Sequence, residues 1–265
     1  MNAALIRRQL RHLGPVTAGV ALGVLAFEIL IAHIIVAFEE GPGLQGVMDM
    51  LPEFLREFAG GHIADVSVPG LLSFGFQHPG VLFISAAWVV FAASGPAGDR
   101  DEGTLDLFLA RPVTRTRYLG STLALVVGGC LLLATMALSG LLLGTSMVEL
   151  PEPVDRAALL DSALRYGALL LAIGGIVLLL AVTSRRRGTA VARSAAVLIP
   201  AYLIESFAPM SAPLASIRWL SPFHHGRPDL AGPLAAGEPG NPWVLVALFA
   251  TTTALAFAAF ARRDL

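Results

Sequence analysis

Long apolar runs separated by short charged stretches dominate this chain. Runs at 15–38, 71–97, 117–148, 157–184, 188–208 and 242–261 each reach the roughly 20 residues that an α-helix needs to cross a bilayer. They predict six transmembrane helices in an all-α polytopic membrane protein, built as a single domain over residues 1–265. Residues 2–13 follow another pattern. Leu5, Ile6, Gln9, Leu10 and Leu13 fall near one helical face, while Arg7, Arg8, Arg11 and His12 make up much of the rest. That is a short basic amphipathic helix, suited to lying in the headgroup region. The intervals between runs are loops. Segment 39–70 is acidic, with a short amphipathic helix over 51–59, and 149–156 is a short acidic turn with two prolines. Segment 209–240 is rich in proline and glycine. The second run is punctuated by Gln77-His78-Pro79-Gly80, which marks a kink or a dipping segment, and the fifth by Pro200.

The charged stretch 98–114, between the second and third runs, stands out. Asp99, Asp101 and Glu102 precede Thr104 and an apolar sequence, and acids in a first turn favour helix initiation. Leu105, Phe108 and Leu109 fall at i, i+3 and i+4, and Pro112 stops the helix. The spacing predicts a short helix over 99–111 with charged ends and an exposed Leu/Phe ridge. Such a ridge either docks in a groove of another protein or lies flat on the membrane.

Composition narrows the class. The chain is 55% hydrophobic and 14% charged, against about 25% charged residues in soluble domains. All 18 basic residues are arginine. Without lysine there is no P-loop to hold nucleotide phosphates and no Schiff-base site. The single cysteine, Cys130, rules out an intramolecular disulfide and a Cys-rich metal site, and reads as a small buried residue. No HExxH occurs, the other histidines are scattered, and His224 and His225 are adjacent, so their side chains should diverge. An intramembrane metalloprotease is not supported, and no metal site is expected.

Arginine is unevenly distributed. Arg7, Arg8, Arg11, Arg100, Arg111, Arg115, Arg117, Arg185, Arg186, Arg187, Arg193, Arg262 and Arg263 fall on one side of the predicted topology. Arg56, Arg156, Arg165, Arg218 and Arg227 fall on the other. The positive-inside rule makes the first side cytoplasmic, with both termini there. Glu28 and His33 lie inside the first run, too far apart in angle to share one face. They read either as groups on a translocation path or as polar glue between helices.

The pattern E-G-T-L-x-x-x-L-x-x-P-V at 102–113, followed by Arg115 and a glycine opening a long span, resembles the ABC-2 type transporter permease family. The basic amphipathic N-terminus, six spans, Ser221-Pro222-Phe223 and the terminal FARRDL support the resemblance, which covers essentially the whole chain. One departure is the lead-in, Gly98-Asp99-Arg100-Asp101, where many members are glutamate-rich.

The resemblance implies a permease subunit that is not itself an enzyme and carries no cofactor. Two copies of a separate cytoplasmic ABC ATPase would bind ATP and magnesium. A second permease, usually an identical copy, would complete the complex in the bacterial inner membrane, with no nucleic-acid partner. The stretch 98–114 would be the coupling helix, with Asp99, Asp101, Glu102, Thr104, Leu105, Phe108, Leu109 and Pro112 facing the ATPase. Residues 2–13 would be the elbow helix, and 209–240 would hold short outer or re-entrant helices. The expected activity is export of a hydrophobic or amphiphilic compound. The alternative is a non-transporting scaffold or channel serving a maturation or immunity system.

Overall fold

A computed structural model of the chain describes residues 3–40, 52, 68–105, 114–150, 155–227 and 240–262. Among the described residues the regular structure is all helical. The elements are α1 (Ala3–Glu40), α2 (Val68–Gln77), α3 (Pro79–Ala93), α4 (Gly95–Asp101), α5 (Arg115–Met147), α6 (Arg156–Thr183), α7 (Arg187–Phe207), α8 (Ala212–Ile217), α9 (Pro222–His225) and α10 (Pro242–Arg262). Short 3-10 turns at Ala208–Met210 and Arg218–Leu220 flank α8. Five helices are long and apolar enough to cross a membrane, and the α3/α4 pair, bent by 49°, makes a sixth candidate. The protein is a multi-pass membrane protein.

Local chemistry explains three of the starts. Thr114 accepts from the Arg117 amide to cap α5, and Asp155 accepts from the Ala157 amide to cap α6. His78 separates α2 from α3; its Nδ1 accepts from the Gly80 amide, and Pro79 takes the first helical position. The expected punctuation at Gln77–Gly80 is therefore a true break between two helices.

Two expectations are corrected. The elbow helix at 2–13 is not a separate element, because α1 runs unbroken through Pro15 for 38 residues. At 1.5 Å per residue that is about 57 Å, longer than the roughly 40–45 Å of a whole bilayer. The basic first turns thus extend the first span axially. The coupling helix is not continuous over 99–111 either. Here α4 continues the second span and ends at Asp101, with Glu102 as its C-cap. Gly103 then takes a left-handed φ of 67°, a conformation that breaks a helix and suits glycine. Asp99 and Asp101 consequently sit at a helix C-terminus, not in a first turn.

The bundle is organised around α6, the most buried of the long helices, which meets α2, α3, α4, α5, α7, α9 and α10. Helix α1 packs chiefly along α5. That contact depends on small residues. A Cβ on Gly140 would collide with the Leu25 carbonyl oxygen, and one on Gly144 would lie 2.9 Å from the Ala32 Cβ. This is the close approach that a small-xxx-small pair permits. Gly140→Ala should therefore lose about 1–3 kcal/mol through overpacking. Gly128→Ala, in the same helix with open space around it, should be neutral or stabilising. Thermal unfolding of both variants in detergent checks the contrast.

Candidate coupling site at the arginine-rich end

Asp99 is the hub where α4 meets its neighbours. Its carboxylate accepts from Arg8 Nη1 of α1 at 3.2 Å and from the Tyr118 hydroxyl of α5 at 2.5 Å. Thr104 Oγ1 donates to the Asp99 carbonyl at 3.1 Å and to its Oδ1 at 3.3 Å. The acid that opposes the dipole at this helix end is thus offset by a guanidinium and two hydroxyls. Three elements far apart in sequence are tied to one side chain.

Arginines complete this end by reaching helix C-termini. Arg100 donates to the Ser184 carbonyl at 2.6 Å and to Val182 at 3.4 Å, capping α6. Arg187 Nη2 donates to the Phe91 carbonyl at 2.8 Å near the end of α3, its guanidinium 4.0 Å above the Phe91 ring. Arg115 reaches the Phe260 and Ala261 carbonyls that close α10, at 3.5 and 3.4 Å. The Arg187 amide donates to Asp101 at 3.2 Å.

The expected coupling residues therefore separate. Asp99 and Asp101 are engaged inside the protein, and Thr104 is bonded to Asp99. Leu105 is 1% exposed and belongs to the core, so the expectation that it lies on an exposed ridge fails. Glu102 is exposed. Phe108, Leu109 and Pro112 lie outside the described residues. Glu28 and His33 are not brought together. Glu28 is fully buried against Gly75 of α2 and Gly140 of α5, and neither carboxyl oxygen has a hydrogen-bond partner. His33 is exposed, its Nδ1 2.9 Å from the Ile29 carbonyl of its own helix.

A family model for the C-terminal domain of the multidrug efflux system permease Rv1217c matches residues 5–261. The chain belongs to that family. It is an ABC-2 type permease, a membrane subunit of an ABC system. No curated protein matches it.

At the opposite end of the permease, a second charged cluster went unread in the sequence. Glu205 of α7 pairs with Arg218 at 2.9 Å and Arg227 at 3.2 Å, and lies 3.4 Å from His224 Nδ1. Arg165, buried in α6, donates to the Arg227 carbonyl at 3.1 Å and the Gly240 carbonyl at 2.7 Å. These contacts fasten the short helices that follow α7 up to residue 227; residues 228–239 of the expected outer segment lie outside the described residues. The adjacent histidines do not diverge: their rings stack edge-on at 5.1 Å. Burial pushes the His225 imidazole below the ordinary histidine range. Its Nδ1 accepts from the Asn241 amide at 3.3 Å, leaving Nε2–H to donate to the Trp219 carbonyl at 2.8 Å. Only scattered polar residues in a proline-rich stretch hinted at this cluster, because its acid is 13 to 22 residues from its arginines.

Between the two ends, α3 and α7 border an apolar groove of about 340 Å³, lined by Leu82, Phe83, Val90, Phe91, Ile199 and Tyr202 among others. Phe83, Tyr202 and Phe223 form an aromatic chain at its far end, with centroid separations of 4.8 and 5.4 Å.

The permease should distinguish Asp99 from Glu102 in stability. Asp99→Ala removes the carboxylate that Arg8, Thr104 and Tyr118 all contact and should cost about 2 kcal/mol. Glu102→Ala, at an exposed position, should stay within about 0.5 kcal/mol of wild type. Thermal melts in detergent measure both.

Proposed function

We propose that this permease exports hydrophobic or amphiphilic compounds, driven by ATP hydrolysed on separate subunits that bind its arginine-rich end. The family match carries this reading. The name of Rv1217c places multidrug efflux within the family. The arginine asymmetry makes that end cytoplasmic, and the absence of lysine requires hydrolysis in another chain. A second permease, most simply an identical copy, completes the path, for which the α3–α7 groove offers an apolar wall of suitable chemistry.

In this reading the coupling element begins at Glu102, immediately after the Gly103-marked end of α4, and continues through Phe108, Leu109 and Pro112. Glu102 meets a basic residue of the ATPase, and the phenylalanine and leucine supply buried apolar area. Asp99 and Asp101 play a different part. They bind the base of the element to α1, α5 and α7, so that displacement of the element moves those spans together. Force transmission needs such a rigid base, since a compliant one would absorb the motion.

Efflux of a lipophilic fluorescent dye from vesicles holding the permease and its ATPase tests this. The double variant Glu102→Arg/Phe108→Ala should assemble in the membrane yet lose at least about tenfold in transport, a difference of 1.4 kcal/mol. ATP hydrolysis should continue without transport. Wild-type efflux in the double variant would refute the assignment.

A further inference from the structure

A polar cleft of about 220 Å³ opens at the arginine-rich end between α1, the α3–α4 junction and the start of α7. Its walls carry Arg8, Gln9, His12, Asp99, Glu102 and Arg187 beside the aromatic ring of Phe91. Their formal charges balance, with two arginines against two acids. Part of this polarity is committed. Arg8 and Asp99 pair with each other, and Arg187 spends Nε on Ser94 and Nη2 on the Phe91 carbonyl.

Part of it is not committed. Glu102 and His12 make no side-chain hydrogen bond or ion pair among the described residues, and Arg187 Nη1 donates to none. Gln9 donates to Thr122 at 3.1 Å, but its buried Oε1 has no partner. The unmet groups in the lining are thus one guanidinium N–H face, an imidazole, a carboxylate and an amide carbonyl. That set is complementary to a zwitterion whose cationic end can donate hydrogen bonds.

Position and size restrict the zwitterion further. Phe91, 44% exposed, lines both this cleft and the apolar groove between α3 and α7, so the polar cavity leads directly onto exposed apolar surface. Drug-sized ligand pockets begin near about 300 Å³, so this cleft suits a headgroup whose apolar part stays in the bilayer. We infer that the cleft binds a phospholipid with a phosphate and a primary ammonium, a phosphatidylethanolamine. The phosphate faces Arg187 and His12, and the ammonium faces Glu102 and Gln9. A choline headgroup has the same charges but no N–H donors for those acceptors, and an anionic headgroup leaves Glu102 unmatched. The bound lipid would bridge α1, α4 and α7 at the base of the coupling element. This site stands independently of any transport activity, and the lipid holds Glu102 only while no ATPase is bound.

Native mass spectrometry of the detergent-purified full chain tests it. The probes are equimolar phosphatidylethanolamine, phosphatidylcholine and phosphatidylglycerol with identical acyl chains. Wild type should retain the ethanolamine lipid at least about fivefold over either competitor, as one charge-assisted hydrogen bond would give. Glu102→Gln should bring that preference close to parity, and Arg187→Gln should weaken retention of ethanolamine and choline lipids alike. Should Arg187→Gln disturb folding, as a melt would reveal, Glu102→Gln decides alone, because its side chain holds no internal bond. Equal retention of the three lipids, stronger retention of phosphatidylglycerol, or a preference unchanged in Glu102→Gln would overturn the assignment.

Discussion

A helix that ends near a membrane surface leaves its last carbonyls without partners inside the helix, and they must be met somehow. At one end of this permease arginine meets them. Arg100 serves α6, Arg187 serves α3 and Arg115 serves α10, each from a different helix. A guanidinium suits the task because its planar fork can satisfy two acceptors at once while its charge favours the negative end of a helix dipole. Arg8 and Tyr118 add the complementary device by neutralising Asp99 at the end of α4. Seven helices are thereby tied to a neighbour by side-chain-to-backbone and charge contacts at this end.

The two ends of the bundle are built by related means and from different geometry. At the opposite end, Arg165 also reaches across to backbone carbonyls, while Glu205 gathers Arg218, Arg227 and His224 around one carboxylate. The central helix α6 passes between both systems. Glycines allow its neighbours to approach: a Cβ on Gly175 would strike Thr252 and Phe249 of α10, as one on Gly140 would strike α1. The middle of the molecule is therefore tightly packed, and polar fastening is concentrated where the helices end.

The apolar runs announced the spanning helices well, because length and hydropathy are local properties that the bilayer enforces. Thr114 and Asp155 sit at helix starts, where their side chains cap the backbone, and the proline- and glycine-rich 209–227 holds short helices. Pairings over long sequence distances were invisible to periodicity. Asp99 reads as the lead acid of a new helix until Arg8, 91 positions earlier, and Tyr118 are seen to hold it. Leu105 has the spacing of an exposed ridge, but tertiary burial overrides spacing. Pro15 suggests a boundary, yet the helix passes through it, since one lost hydrogen bond does not outweigh packing of α1 along the whole of α5.

These contacts assign different work to neighbouring acids. The residues up to Asp101 form a base held by the permease itself, and Glu102 beyond them is exposed, which the proposed reading assigns to a partner. Amide hydrogen exchange over residues 95–101, in the permease reconstituted without its ATPase, tests that division most directly. The self-held base predicts slow exchange there before any ATPase is added, and faster exchange when Asp99→Asn removes the charge that Arg8 and Tyr118 contact. Rapid exchange in the wild-type permease alone, slowed only once the ATPase binds, would show that the partner orders this segment and would contradict the account.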